Sequence, residues 1–265
     1  MTPETRAAAG VVLATLIAGV ALRARLLTRG GALAAIVAGT LATTAGWAWV
    51  VALLAFFVSS TGLSRWRRAT KAVRTDDVVE KGGPRDAWQV VANGGVFSLC
   101  ALGWYLAPSL WLAAAGLGAL AAATADTWAT EVGTAIGGTP RHVLGLAPVA
   151  VGTSGAVSAV GTIAMVAGAA FAGTVALLCG FDRGMAVAIG AGGAVGAFVD
   201  TVLGATLQAR RWCPACQRST EQPTHRCGTA TTQAGGIAAM TNDAVNLTST
   251  LAGALVAAAV HSAWR

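Results

Sequence analysis

The chain has 265 residues, 55% hydrophobic and only 11% charged, with a mean hydropathy of +0.65. A soluble domain carries about 25% charged residues, so a water-soluble globule is excluded, and the apolar runs of about 20 residues indicate an all-α, polytopic integral membrane helical bundle. The net charge of +7 falls largely in the loops between those runs, which accounts for it without a nucleic-acid partner.

Taken in order, a first apolar segment runs from about Ala8 to Leu22 and closes on Arg23, Arg25 and Arg29. It lacks a small-residue cleavage site before a polar domain, so no cleavable signal peptide is expected. Segments two and three cover about Ala32–Thr44 and Gly46–Leu63. The second is short for a bilayer core of about 30 Å. A basic loop, 64–86, follows with seven basic and four acidic residues. Segments four and five cover about Ala87–Leu106 and Ser109–Val132. A Gly/Pro-rich loop, 133–155, leads to segments six and seven, about Ala156–Leu178 and Met185–Leu207. A polar Cys/His loop, 208–241, precedes segment eight, about Asn242–His261. The expectation is one membrane domain over 1–265 with about 7–8 transmembrane segments. The many glycines suit close helix packing.

With eight alternating spans, 15 of the 18 Lys and Arg residues lie on one side, and only Arg6, Arg183 and Arg265 on the other. By the positive-inside rule that side is cytoplasmic. This places the protein in the cytoplasmic (inner) membrane, with both loops, 64–86 and 208–241, facing the cytoplasm.

Polar residues converge on the same face. Asp126 lies about 9 Å, and Asp200 about 10 Å, from the inner end of its segment at 1.5 Å per residue. Asn93 lies early in segment four, Glu131 at the mouth of segment five, and Asn242, Asp243 and Asn246 open segment eight. Intramembrane acids are costly and mark function. Carboxylates and amide oxygens are hard ligands for Mg²⁺, which is commonly shared with substrate phosphates. Asp126, Glu131, Asp200 and Asp243 are the candidate Mg²⁺ ligands, the first three also catalytic. Lys81, Arg85 and Arg141 would neutralise phosphate. Gly94, and Thr153 and Ser154 within Gly152–Gly155 at the expected start of segment six, would let phosphate approach the backbone. Asn242 also suits a helix N-cap, and the bases at 65–71 suit topology determinants facing anionic lipid. Ala125-Asp126-Thr127 is echoed by Val199-Asp200-Thr201. The coherent chemistry is metal-linked phosphate transfer on a lipid-borne substrate.

The loop 208–241 carries Cys213-Pro-Ala-Cys216 and His225-Arg-Cys227. Three thiolates and one imidazole at this spacing match a closed structural Zn²⁺ site, with a metal-free or redox loop as the alternative.

The stretches Lys81-Gly-Gly-Pro-Arg85-Asp-Ala-Trp-Gln-Val-Val-Ala-Asn93-Gly94-Gly, Ala-Asp126-Thr-Trp-Ala-Thr-Glu131-Val-Gly, Gly152-Thr-Ser-Gly and Asn242-Asp-Ala-Val-Asn246 resemble the membrane family that includes transmembrane protein 19 and plant phytyl-phosphate kinase. The resemblance covers nearly the whole chain, in order. A more distant similarity is to dolichol kinase, phytol kinase and phosphatidate cytidylyltransferase, where CTP and metal are bound by a Gly-Asp helix end and a Lys-Thr/Ser-x-Glu-Gly-Ser stretch. Here Ala125-Asp126 stands for Gly-Asp, and Val151–Gly155 lacks that Lys and Glu. The resemblance implies a kinase that uses a nucleoside triphosphate, with CTP as the candidate, and Mg²⁺ to convert a prenyl or phytyl monophosphate to its diphosphate. A phosphate acceptor is already ionised near neutral pH and needs no intramembrane His as base. A cytidylyltransferase, a prenyl alcohol kinase and a transporter of a small phosphorylated solute are the alternatives. Oligomeric state is left open.

Overall fold

The computed structural model describes residues 3–75, 77–79 and 83–264. The apolar runs form helices: α1 (Pro3–Arg23), α2 (Arg29–Ala45), α3 (Trp47–Arg65), a short α4 (Arg68–Thr75), α5 (Ala87–Leu106), α6 (Leu110–Ile136), α7 (Ala159–Leu178), α8 (Arg183–Thr206) and α9 (Asn242–Ala263). Seven of these, all but α2 and α4, are long and apolar enough to cross a membrane. The 17 residues of α2 span only about 25 Å. Two small sheets lie among the loops. One pairs β1 (Arg141–His142) with β2 (Ala156–Val157); the other is a ribbon ordered β4-β3-β5 from β3 (Arg210–Cys213), β4 (Arg218–Thr220) and β5 (Thr232–Gly235).

Helix starts are written locally. Asp86 caps α5 by accepting from Gln89 N at 2.9 Å, and Gln89 Oε1 accepts from Asp86 N at 3.0 Å. This reciprocal capping box satisfies two of the orphan donors. Ser158 caps α7 and Asp182 caps α8. Two expectations change here. Thr241, one residue earlier than expected, caps α9 through Ala244 N, so Asn242 is the first helical residue. The Gly152–Gly155 turn does not open α7, because β2 and the Ser158 cap intervene; it gains nothing from that helix's dipole.

The bundle is organised around α6, buried continuously from Ala113 to Ala125 and packed by α3, α5, α7, α8 and α9. Where α6, α8 and α9 meet, the backbones touch. A Cβ on Gly196 would lie 2.4 Å from Ala122 Cβ and 2.9 Å from Ser249 O. One on Gly253 would lie 2.9 Å from Gly118 O and 3.0 Å from Gly192 O, and one on Gly118 2.3 Å from Ala257 Cβ. These pairings run α6 parallel to α8 and antiparallel to α9. In a membrane, where apolar burial does not drive helices together, such small-residue contact does.

The loops gather at one end. Arg65 Nη2 donates to Ala24 O (3.0 Å), Arg67 to Ala135 O (3.3 Å) and Arg74 to Thr134 O (3.1 Å). Arg65 and Arg67, expected to face lipid, and Arg74 beside them therefore serve the carbonyls that helices leave unpaired at their C-termini, where cations are also favoured by the dipole. α6 runs four residues past its expected end because α4 grips that last turn.

Substituting Gly253→Val forces the three backbones apart and is expected to cost about 1–3 kcal/mol, read as a lower unfolding midpoint of the detergent-solubilised protein. An unchanged midpoint would show that these helices do not touch at Gly253.

Candidate functional site

The site grows directly out of the three-helix contact. One turn beyond Ala122 on α6 comes Asp126; one turn beyond Gly196 on the parallel α8 comes Asp200. The two acids face one another closely enough for their charges to interact. Their neighbours Thr127 and Thr201 each donate back to the carbonyl four residues earlier, at 2.8 and 3.1 Å. The Asp-Thr echo in the sequence is thus two matching positions on parallel helices. From α9, Ser249 lies beside the Asp200 carboxylate, its hydroxyl donating to Asn246 O at 2.9 Å. Asp200 Oδ2 is sealed from solvent and has no hydrogen-bond partner among the described residues. A buried oxygen of this kind calls for a cation or donor.

The acids continue on both sides. The charge of Glu221, from the Cys/His loop, acts on Asp200, and the charge of Glu131 acts on Asp126. Glu221 also bonds the Ser154 hydroxyl. Four carboxylates, Glu221, Asp200, Asp126 and Glu131, thus follow one another across the loop end of the bundle.

At the Glu131 end the structure departs from expectation. Glu131 Oε1 accepts from Ser64 Oγ at 2.5 Å, and Oε2 pairs with Lys71. Lys71 is buried and also donates to Leu63 O (2.8 Å) and Ser64 O (2.9 Å), in the last turn of α3. Both oxygens of Glu131 are therefore engaged, and it braces α6 against α3 and α4 rather than offering a free metal ligand. Arg85 lies close enough to feel Glu131; burial lowers its guanidinium from the ordinary arginine range, and the charge of Glu131 opposes that shift. Its backbone is held by Leu26 O and by Thr28 N, at 2.9 and 3.0 Å, immediately before the Asp86 cap.

The remaining expected residues divide. Asn93 Nδ2 donates to Gln89 O, and Thr250 Oγ1 donates to the neighbouring Ala92 O at 3.1 Å, which ties this stretch of α5 to α9. Gly94 is buried, yet a Cβ there would meet nothing within 4 Å, so there is room beside it. Asn242 and Asp243 lie in the first turn of α9, below Asn246. Arg141 is turned away: it is exposed and donates to Leu146 O at 2.7 Å within its own hairpin. That internal bond accounts for it without a phosphate. Ser154 approaches the acids through Glu221, while Thr153 supplies only backbone bonds, to Ala150 and Ala156. Gly155, at φ +76°, sets this turn against Ala205 of α8. Lys81 lies outside the described residues.

An apolar groove lies between α3, α6 and α7. It is partly open and lined by Ala52, Phe56, Leu117, Leu120, Phe171 and Val175. It ends at Thr124, two residues and so about 200° around α6 from Asp126, and does not lead to the acids.

Sequence reasoning missed Glu221, Ser249, Ser64 and Lys71. Ser249 follows Asn246 by three residues on one helix face and was in principle legible; the other three are joined to the site only by chain segments far away in sequence.

The Cys/His cluster also assembles. The ligand atoms of Cys213, Cys216, His225 and Cys227 all lie within 4.8 Å of one another. Hydrogen bonding with Thr229 and with His225 pulls the Cys227 thiol down to about 5, while hydrogen bonding with Cys227 pushes Cys216 up to about 11.

The family description "integral membrane protein DUF92" matches residues 12–254. The chain belongs to the DUF92 family of integral membrane proteins. It is 27% identical to Protein PGR of Arabidopsis thaliana, over 94% of both chains. It is 32% identical to an uncharacterized membrane protein of Synechocystis, over 63% of this chain and 66% of the other. An uncharacterized membrane protein of Methanocaldococcus jannaschii is 29% identical, over 62% and 67%. No solved structure matches.

Lys71→Met leaves Glu131 without its cation. The expected loss is about 3 kcal/mol, the low end for a broken buried pair because Glu131 keeps 22% side-chain exposure. Adding Glu131→Gln should recover part of it in the same thermal assay; if the double variant is less stable than Lys71→Met alone, the pairing is not what stabilises this corner.

Proposed function

We propose that this DUF92 protein is a membrane kinase that transfers the terminal phosphoryl group of a nucleoside triphosphate to an isoprenoid monophosphate, giving the diphosphate. The observation that carries the reading is the pair Asp126 and Asp200, opposed across the α6–α8 contact with Asp200 Oδ2 buried and unpartnered. A site made of hard oxygens with one of them orphaned fits Mg²⁺ and does not fit an apolar or soft ligand. Asp126 and Asp200 would hold the ion, with Glu221 as a further oxygen donor; bound there, Mg²⁺ would neutralise charge on the transferring phosphoryl group.

The chain's own residues do the rest. Arg85 brings a cation whose backbone is anchored on both sides, suited to bind phosphate oxygens. The Lys71–Glu131 pair holds the end of α6 in place, and with it the angle of Asp126. The acceptor phosphate is already ionised, so positioning and charge neutralisation suffice. The resemblance to the family of plant phytyl-phosphate kinase supports an isoprenoid acceptor, and the more distant one supports CTP among the triphosphates. The charge asymmetry supports a site on the cytoplasmic face of the inner membrane.

The purified protein, given Mg²⁺, each nucleoside triphosphate and phytyl, geranylgeranyl or farnesyl monophosphate, should yield prenyl diphosphate and nucleoside diphosphate. A CDP-lipid with released diphosphate would instead identify a cytidylyltransferase, and substrate binding without turnover would favour a transporter. Asp126→Asn and Asp200→Asn should each lower turnover by about 10²–10³-fold, the scale of losing one charge-stabilising group, whereas Arg141→Ala should leave it near normal.

A further inference from the structure

The ribbon over 208–241 has no aliphatic core of its own. Its buried residues are Gln208, Cys213, Thr220 and His225. A unit of this size without a core needs a staple, and two tight turns place the candidates for one. In the first, Cys213 ends β3, Gln217 N donates to Cys213 O at 2.9 Å with Gln217 at φ +53°, and Cys216 N lies 3.5 Å from Cys213 Sγ. In the second, Gly228 N donates to His225 O at 2.8 Å, and Gly228 takes φ +84°. The turns face each other: Cys213 Sγ is 3.6 Å from Cys227 Sγ, and His225 Nδ1 is 3.2 Å from the same sulfur. Ligands on a tetrahedral ion with metal–sulfur bonds of 2.3 Å stand about 3.8 Å apart.

The other ring nitrogen gives independent support. His225 is 3% exposed. Its Nε2 is buried without a hydrogen-bond partner among the described residues and lies 3.9 Å from Asp77 Oδ1. An imidazole with one nitrogen among thiols and the other toward a carboxylate is the arrangement that orients a metal-bound His. Asp77 is itself held by Arg218 at 2.8 Å and Arg226 at 2.5 Å.

The same ribbon docks on the segment after α4. Glu221 N donates to Val78 O and Gln222 Nε2 to Val79 O, both at 2.9 Å. Glu221 follows β4 directly and lies four residues before His225, so the turn that carries His225 and Cys227 also sets where Glu221 projects.

We propose that Cys213, Cys216, Cys227 and His225 Nδ1 bind one structural Zn²⁺, with Asp77 orienting His225, and that this ion clamps the ribbon so that Glu221 reaches Ser154 and Asp200. The three thiols release their protons on binding, leaving a site of net charge −1 beside Arg218 and Arg226. The proposal stands whatever reaction the acidic layer performs.

The test uses the full-length protein in detergent. Elemental analysis should find one zinc per chain, and Co²⁺ exchanged into the site should show thiolate-to-metal charge transfer. Cys213→Ser and Cys227→Ser should lose the metal. Asp77→Asn should keep it with affinity weakened about 10–100-fold, a readout that does not depend on the cysteine variants folding. Chelation should raise hydrogen exchange at 77–79 and 218–229 while α6, α8 and α9 stay protected. Failure of the wild-type protein to bind zinc or cobalt, or a Cys213–Cys227 disulfide in reducing cytoplasm, overturns the site. Full zinc occupancy with exchange unchanged on chelation overturns the clamp.

Discussion

Contact between the backbones of α6, α8 and α9 is the constraint on which the rest of the structure depends. Gly118, Gly192, Gly196 and Gly253 leave no room for side chains there, so the three helices lock in register. Because α6 and α8 run parallel, the register that sets Gly196 against Ala122 must set Asp200 opposite Asp126 four residues later. Two acids are thereby forced together where each would be costly alone. The pairing is not an optimum for either carboxylate; it follows from the packing beneath it, and the unpartnered oxygen of Asp200 marks a place where packing overrides electrostatic comfort.

The basic loop answers a second problem created by the same topology. Helices α1, α3 and α6 all end at this side of the bundle and leave carbonyls without intrahelical donors. Arg65, Lys71, Arg67 and Arg74 supply those donors. Positive charge on one face therefore satisfies helix ends, and Lys71 adds an ion pair to Glu131 that ties α3, α4 and α6 into one corner. That corner holds the Asp126 end of the row of acids still, while Glu221 and the ribbon close the other end.

Two features of the site come from chain segments with no apparent relation in sequence. Glu221 lies within a Cys/His loop that reads as a separate structural device, yet its side chain reaches Ser154, 67 residues earlier. Arg85 ends a stretch whose neighbours are explained by a capping box; its position comes from backbone bonds to Leu26 and Thr28, in the turn between α1 and α2. Both depend on loops folding back over the helix ends.

The sequence by itself determined the helical membrane class, the segment limits to within a few residues, the gathering of charge at one end and the common depth of Asp126 and Asp200. Those follow from composition, run length and the cost of burying charge, which act locally. Family membership was also legible, because the motif stretches occur in order along the chain. Tertiary structure decided which polar residues share a site. It engaged both oxygens of Glu131, turned Arg141 into its own hairpin, moved the α9 cap to Thr241 and brought Glu221, Ser249 and Lys71 in. Helix register and loop docking set those outcomes, and both depend on contacts between residues distant in the chain, which no local pattern encodes.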